Sequence, residues 1–331
     1  MREMWIVRCL ITMTVAITTT SSSNSTHGFI IVGAGSTGSV VAGRLASAGY
    51  DVLVLESGGR TQYELGGCED NPCPDIPDTN TTVFDIPSQW IRTITEENFE
   101  YNIDTANSHD TAPKQARGVG GCGIHNAMIY IRGTPYDFDT GSWSKLNWTW
   151  DEVLPFYTRT ENNTFFSRSS HHSNTGPVQI SFASDSGSSF DETFLKACSR
   201  RSQRNLDFNG VQREGCGEYQ FLIRDGVRDS SAVAFLSPSR RQDRGSLEIR
   251  PYSHVTKIIF NGSKAVGIEY VNTKEQPTSK DTMKRHVVHV KREIILSAGA
   301  IHSPNILLQS GLRTCLFFFI SKVTYRKLRK T

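Results

Sequence analysis

Residues 29–56 read FIIVGAGSTGSVVAGRLASAGYDVLVLE, one complete strand, turn, helix and second strand, and everything else in the chain is placed relative to them. Residues 29–32 are a short apolar run of strand length, and Gly33, Gly35 and Gly38 follow at the spacing GxGxxG. Glycine lets the backbone turn tightly and lets a pyrophosphate approach the N-terminus of the next helix, where free N–H groups and the positive dipole end favour an anion. The helix carries Val40, Val41, Leu45 and Ala48 at a 3.6-residue period suited to packing on a sheet, and Gly49 stands where a left-handed C-cap belongs. Residues 52–55 give the second strand. Glu56 ends it, where an acidic side chain accepts hydrogen bonds from an adenosine ribose. A lone GxGxxG says little, because glycine-rich turns are common. Here strand, glycines, helix, strand and terminal acid agree, and together they predict a dinucleotide-binding βαβ unit.

The chain's 331 residues suffice for two domains or one large α/β unit. A net charge of +3 gives no electrostatic case for nucleic acid or a membrane surface. Residues 1–26 have the pattern of a secretory signal: Arg2 and Arg8 flank the start, residues 9–17 are moderately apolar, and a Thr/Ser run follows. That apolar core is too short to span a bilayer, so the expectation is a secreted protein without a membrane span. Five Asn-x-Ser/Thr sequons begin at Asn24, Asn80, Asn147, Asn162 and Asn261, most of them in polar, loop-like sequence suited to a glycosylating compartment. Seven cysteines fit the same compartment. With Cys9, Cys122 and Cys315 set aside, three connectivities remain open, of which the local pairs Cys68 with Cys73 and Cys198 with Cys216 cost least in loop closure. Neither pair has zinc-ligand spacing with histidines nearby, and no metal site is expected.

In chain order, residues 57–82 are rich in Gly, Pro, Asp and Asn and read as a long surface excursion. Apolar residues return at 83–90, and 99–103 is strand-like. Residues 115–132, QARGVGGCGIHNAMIYIR, place Gly118, Gly120, Gly121 and Gly123 where bare backbone meets something close. Cys122 within them reads as a small buried residue. His171-His172 falls in a Ser/Asn-rich segment and reads as a solvated loop. Residues 247–271 alternate and break at Asn261-Gly262, a hairpin signal, and with 286–290 they suggest a three-stranded antiparallel meander. Residues 293–297 are a further strand. Ser303 as N-cap and Pro304 at the first helical position open a helix that closes at Gly311.

Three stretches lift this reading above the generic. The opening IIVGAGSTGSVVAGRLA…VLVLESGG, the run ARGVGGCGIHNAMIYIRGTPYDFD followed by TWDEVLPFYTRTENN, and AGAIHSPNILLQSG at 298–311 resemble, in this order, the glucose-methanol-choline family of FAD-dependent alcohol oxidoreductases. Residues 217–236 are similar to the segment by which such chains return from the substrate domain to the flavin domain. The resemblance implies an α/β fold: a Rossmann-like FAD-binding domain with an antiparallel β-meander (27–170 and 224–311), an incomplete α+β substrate-binding domain (171–223), and a tail outside the family pattern (312–331).

The resemblance also implies a chemistry. An alcohol loses a hydride from carbon to the flavin while a base takes the hydroxyl proton, and the cofactor carries the difficult step. Gly33, Gly35, Ser36 and Gly38 would hold the pyrophosphate and Glu56 the ribose, and the backbone near Val255 would meet the adenine. Gly120 and Gly121 would bring backbone beside the isoalloxazine, with Asn126 donating a hydrogen bond near it and Ala127 and Gly299 completing the two signatures. His125 falls where choline-oxidising members carry a histidine bonded covalently to the flavin; many others bind FAD there without a bond, which leaves packing as its alternative role. The implied partners are a small-molecule alcohol and an electron acceptor.

The resemblance stops near Gly311, and the catalytic histidine of the family is expected beyond the end of this chain. LRTCLFFFISKVTYRKLRKT reads as a truncated or misread end, or less simply as a basic anchor on Lys322, Arg326, Lys327, Arg329 and Lys330. The alternative function is therefore a catalytically inactive protein retaining at most part of the nucleotide binding. A nicotinamide-dependent dehydrogenase is disfavoured by the two flavin-family signatures.

Overall fold

The computed structural model describes residues 25–67, 80–94, 115–167, 169–183, 189–211, 213–240, 245–275 and 283–312. The signal-like segment, the strand expected at 99–103, Cys68 with Cys73, and the C-terminal tail lie outside the described residues. The first half of the chain runs β1 (Thr26–Val32), α1 (Ser36–Ser47), β2 (Val52–Leu55), α2 (Trp90–Thr93), β3 (Ile129–Tyr130), α3 (Pro135–Asp139), α4 (Gly141–Ser144), α5 (Trp150–Thr160) and β4 (Glu161–Asn163). The second runs β5 (Val178–Phe182), α6 (Ser189–Cys198), β6 (Gln220–Phe221), β7 (Ile223–Arg224), β8 (Val227–Arg228), α7 (Ser231–Leu236), β9 (Leu247–Arg250), β10 (Ser253–Asn261), β11 (Lys264–Asn272), β12 (Arg285–Leu296) and α8 (Gly299–Gln309).

The opening βαβ unit forms as its sequence dictates. β1 and β2 pair in parallel from Phe29↔Val52 to Val32↔Leu55, and every residue of β2 is buried, as a strand covered on both faces must be. Gly49 takes the left-handed conformation, φ +95°. The buried face of α1 differs from the expected one: its centre is Gly38, Ala42 and Ala46, with Val40, Val41 and Leu45 only partly buried and Ala48 exposed. Small residues win that face because α7 packs close upon it. A Cβ at Gly43 would stand 2.3 Å from the Phe235 carbonyl oxygen.

The main sheet has six strands in the order β10-β11-β12-β1-β2-β9, with apolar clusters on both faces. The meander is present as β10, β11 and β12, turning at Gly262 (φ +58°) between the paired Asn261 and Lys264. Two expectations need correction. Residues 247–250 do not open the meander; β9 pairs in parallel with β2, and the turn at Pro251-Tyr252, with Tyr252 at φ +57°, separates it from β10. The strands expected at 286–290 and 293–297 are one strand, β12. Its first part pairs antiparallel with β11 and its second part parallel with β1, so it joins the meander to the dinucleotide unit.

α8 also begins earlier than expected. Gly299 (φ +81°) starts it, Pro304 lies inside it, and Ser303 caps from within by accepting a hydrogen bond from the Ala298 N–H at 3.0 Å. Gly311 closes the helix at φ +87°, as the sequence suggested. The excursion after Glu56 is not wholly on the surface: Thr61 and Gln62 are fully buried, and Gly59 bridges Gly118. Paired glycines at 58 and 59 permit this, since a Cβ on Gly58 would stand 2.3 Å from the Arg117 carbonyl oxygen.

A second, four-stranded sheet has the order β3-β6-β5-β4. Its strands hold a buried polar network that the sequence did not disclose. Arg132 pairs with Glu161 at 2.5 Å. His172 bridges two carboxylates, Nδ1 to Glu161 Oε1 at 3.0 Å and Nε2 to Asp207 Oδ2 at 2.8 Å. Gln220 donates to Asp207 at 2.7 Å and accepts from Asn163 at 2.9 Å. The side chains of Arg132, Glu161 and His172 are 0–1% exposed, so the solvated-loop reading of His171-His172 fails for His172. The disulfide Cys198–Cys216 forms as expected, with a Cα–Cα distance of 6.1 Å.

Candidate functional site

A cavity of about 880 Å³ opens at the carboxyl ends of β1, β2 and β12, where Val32, Leu55 and Leu296 face it. Ligands of open α/β sheets bind outside the carboxyl ends of the strands, where connections diverge to the two faces. One wall is Gly33 and Gly35 of the turn with the first residues of α1, Ser36 and Thr37; Gln115, Ala116 and Gly118 with Gly121 and Cys122 form a second. The β10 segment 253–257 and the start of α8 supply the others.

The glycines do separate jobs. Gly33, at φ +96°, turns the chain where a Cβ would stand 2.6 Å from the Ser297 carbonyl oxygen. A Cβ on Gly38 would lie 2.0 Å from the Gly33 carbonyl oxygen, so Gly38 sets how closely α1 packs on its own strand. Gly35 has nothing nearer than 3.8 Å and leaves its space to the cavity. Gly121, at φ +53°, lies against it, because a Cβ there would stand 2.7 Å from Gly35 Cα. Gly120, at φ +113°, anchors this second glycine turn by donating its N–H to the Ala34 carbonyl at 2.8 Å. Two bare turns thus meet over the N-terminus of α1, which has neither a side-chain cap nor an acidic residue in its first turn. Open amides and the dipole make it a site for an anion.

Glu56 stands across the cavity. The Ala34 N–H donates to one of its oxygens at 2.8 Å and the Gly58 N–H to the other at 2.9 Å. Burial pushes its carboxyl up to about 6, against the pull of these bonds and of Arg117. Beside it, Ser57 and His254 are hydrogen-bonded at 3.1 Å, and His302 lines the wall of α8. Burial first, then the charges of His302 and Arg117, lowers the His254 pKa, and burial lowers that of His302, so both rings face the cavity neutral near pH 7. Neither histidine was singled out in the sequence. Each lies beside a residue that was, Val255 or Gly299, and spacing alone does not say which side chains turn inward.

Of the expected cofactor residues, Gly33, Gly35, Ser36, Glu56, Gly121, Val255 and Gly299 line this cavity, and Gly38 and Gly120 support it from behind. His125, Asn126 and Ala127 follow the short 3-10 turn Gly121–Ile124 and are not in the lining. His125 is 6% exposed. Asn126 is exposed, and its side-chain oxygen accepts from the Met128 N–H and from Arg228. Arg228, 1% exposed, also donates to the carbonyls of Phe84, Gly123 and Asn126 and so clamps the glycine-rich loop; burial lowers its pKa to about 10. It was missed because a single arginine in a return segment carries no pattern. Cys122 is exposed at the cavity wall, contrary to the buried reading, since the turn that buries Ile124 points its neighbour outward.

Comparison with known proteins agrees with this architecture. The chain is 31% identical over 298 residues to an alcohol dehydrogenase [acceptor] of Pseudomonas putida, covering 86% of this chain and 48% of that one. It is 31% identical over 299 residues to an oxygen-dependent choline dehydrogenase of Acinetobacter baumannii, covering 88% and 50%. Pyridoxine 4-oxidase from Mesorbium loti superposes with a TM-score of 0.67 at 26% identity, over 86% of this chain and 52% of that one. A variant of Aspergillus oryzae formate oxidase, at 23% identity and a TM-score of 0.68, shares the fold. The chain spans about half the length of the curated relatives it matches. The sequence model of the GMC oxidoreductase family matches residues 27–315, and the chain belongs to that family.

Proposed function

We propose that this protein binds FAD and acts as an oxidoreductase on the CH–OH group of small alcohols. The observation that carries the reading is the cavity at the strand ends, with two glycine turns over an uncapped helix N-terminus on one side and Glu56 on the other. The residues present fit the cofactor: open amides for a pyrophosphate, walls without Cβ for close approach, and a buried carboxylate whose remaining lone pairs accept from a ribose. In this assignment Gly33, Gly35, Ser36 and Gly38 form the phosphate cradle, Glu56 holds the ribose, and β10 near Val255 borders the adenine. Bound FAD would accept the hydride lost by the alcohol. The chain's own contribution is to bind, orient and exclude water. The acceptor of the hydroxyl proton is not assigned among the described residues. Relatives named for alcohol and choline support alcohols as the substrate class.

Titration with FAD, followed by quenching of flavin fluorescence, tests this reading. Because ribose hydroxyls donate to the ionised carboxylate, protonation of Glu56 opposes binding. Affinity is expected to fall as pH drops below about 6, by up to about tenfold per pH unit. Glu56→Gln should bind more weakly and lose this dependence. Binding unchanged by the substitution and flat across this range would refute the ribose assignment.

The family position of His125 extends the proposal to covalent attachment of the flavin there. Acid precipitation of the flavin-loaded protein is expected to leave the yellow colour in the pellet, and His125→Ala to release it. Colour recovered wholly in the supernatant from the unsubstituted protein would return this buried histidine to a packing role.

A further inference from the structure

We propose that Asn147 and Asn261 are N-glycosylated and that Asn162 is not, the acceptors being chosen by the fold from sequons that look alike in the sequence. This rests on the secretory reading of the N-terminal segment and is independent of the cofactor assignment. Asn24 lies outside the described residues and Asn80 at their edge, so the comparison is among the other three.

Asn147 sits just past α4 at φ +59°, exposed. The Asn147 N–H donates to the Ser144 carbonyl at 3.1 Å and the Trp148 N–H to the Trp143 carbonyl at 3.1 Å. These two bonds make a Schellman close, in which the residue at Asn147's position takes the left-handed conformation. Glycine suits that position best, so the backbone alone does not require asparagine. The hydroxyl of Thr149, the third sequon residue, makes no cap hydrogen bond although Thr149 precedes α5; Asp139 takes the Trp150 N–H instead, at 2.7 Å. Among the described residues, no hydrogen bond to the side chain of Asn147 or Thr149 forms. Beside them Trp143 and Trp148 stack with centroids 5.6 Å apart, yet remain 48% and 54% exposed. Such a flat apolar platform fits the apolar face of a first N-acetylglucosamine held on Asn147. Asn261 is likewise exposed, at the corner of the β10–β11 hairpin.

Asn162 is half-buried, and its side chain is held by the sheet. It is the middle residue of β4, paired to Gln179 of β5, and its Nδ2 donates to Gln179 Oε1 at 3.2 Å. Its neighbours Glu161 and Asn163 are each 1% exposed and belong to the buried network. A glycan on this nitrogen would take the place of one of its two protons and set a sugar against the Asn162–Gln179 pair that joins β4 to β5. The transfer itself is the same at every acceptor. The anomeric carbon of a lipid-pyrophosphate-linked oligosaccharide leaves its phosphate oxygen and bonds to Nδ2, one Nδ2 proton is lost, and the lipid pyrophosphate departs without any redox change.

The test expresses the full 331-residue chain in a eukaryotic secretory host behind a host leader, so that entry does not depend on residues 1–26. Glycans are removed enzymatically in ¹⁸O water, and labelled aspartates are located by mass spectrometry in the chain pooled from cells and medium. Label is expected at Asn147 and Asn261 and absent at Asn162. Thr149→Ala and Asn147→Gly should each remove one glycan, and since the first breaks no cap bond and the second supplies the residue the turn prefers, both should keep the parent's protease resistance. Label at Asn162, or none at Asn147 or at Asn261, overturns the proposal.

Discussion

Glu161→Gln is expected to destabilise the fold by about 3–5 kcal/mol, the cost of breaking a buried ion pair by removing one charge. Glutamine is nearly isosteric with glutamate, so little packing is lost. The charge pattern is what changes. Glu161 accepts from Arg132 on one oxygen and from His172 and the Ser173 N–H on the other. If the glutamine oxygen keeps the His172 side, its NH₂ faces the Arg132 guanidinium, donor against donor. Arg132 then keeps only its bonds to the Tyr130 hydroxyl at 3.0 Å and the His171 carbonyl at 2.6 Å, with its charge uncompensated and its side chain 0% exposed. Urea titration followed by tryptophan fluorescence measures the effect. A shift worth less than about 1 kcal/mol would mean that water or a neighbour takes the place of Glu161.

The same network sets a pH dependence. Burial opposes a charge on His172 and is the largest single influence, but the hydrogen bonds and charges of Asp207 and Glu161 together outweigh it and raise the pKa. Burial likewise opposes the charges of Glu161 and Asp207, and their partners, His172 foremost, hold both below the usual carboxylate range. Arg132, Arg213 and Tyr130 are the other titratable groups at the cluster. A raised folded-state pKa at histidine gives stability that is complete below about pH 6.5 and is lost as pH rises through the folded value. The depressed carboxylates give stability that is lost only as pH falls through their folded values. Glu56, raised to about 6, adds a decline that is finished near that pH. Loss of stability as pH rises above about 6.5 therefore reports His172, whose folded pKa is raised, and His172→Gln should flatten it.

Gly35→Val is expected to abolish FAD binding while leaving the protein folded, and Gly38→Val to abolish both. The two glycines belong to one motif but face different obstacles. A side chain at Gly35 meets nothing closer than 3.8 Å and grows into the cavity, into the space assigned to the pyrophosphate. A side chain at Gly38 starts 2.0 Å from the Gly33 carbonyl oxygen and 3.1 Å from Ser297 Cβ, which forces α1 off the sheet. Overpacking with freedom to relax costs about 1–3 kcal/mol, and a clash with the Gly33 backbone at 2.0 Å, with the Ser297 Cβ also in the way, exceeds that range. Circular dichroism and thermal melting separate the two variants, and flavin retention scores both. Undiminished flavin in Gly35→Val would show that the phosphates lie elsewhere.

Much of the cofactor half was legible because its determinants are local. The strand at 29–32, the glycine spacing, Gly49 and the hairpin at Asn261-Gly262 each fix backbone geometry within a few residues, and the structure shows them where the sequence put them. Periodicity also marked the strand of residues 247–250, but not its partner. That it pairs with β2 instead of running on into β10 is settled by a turn at Tyr252 and by which sheet edge lies within reach.

The sequence by itself determined the dinucleotide unit, the family and the order of its segments, since tight turns and amphipathic periods are written in neighbouring residues. Only the tertiary structure decided that His172 is buried between Glu161 and Asp207, that Arg228 clamps the glycine-rich loop, that Cys122 faces the cavity, and that Asn162 differs from Asn147. Those outcomes depend on contacts between residues far apart in the chain. A charged or polar side chain bears no local mark of whether it will meet water or a partner brought to it by folding.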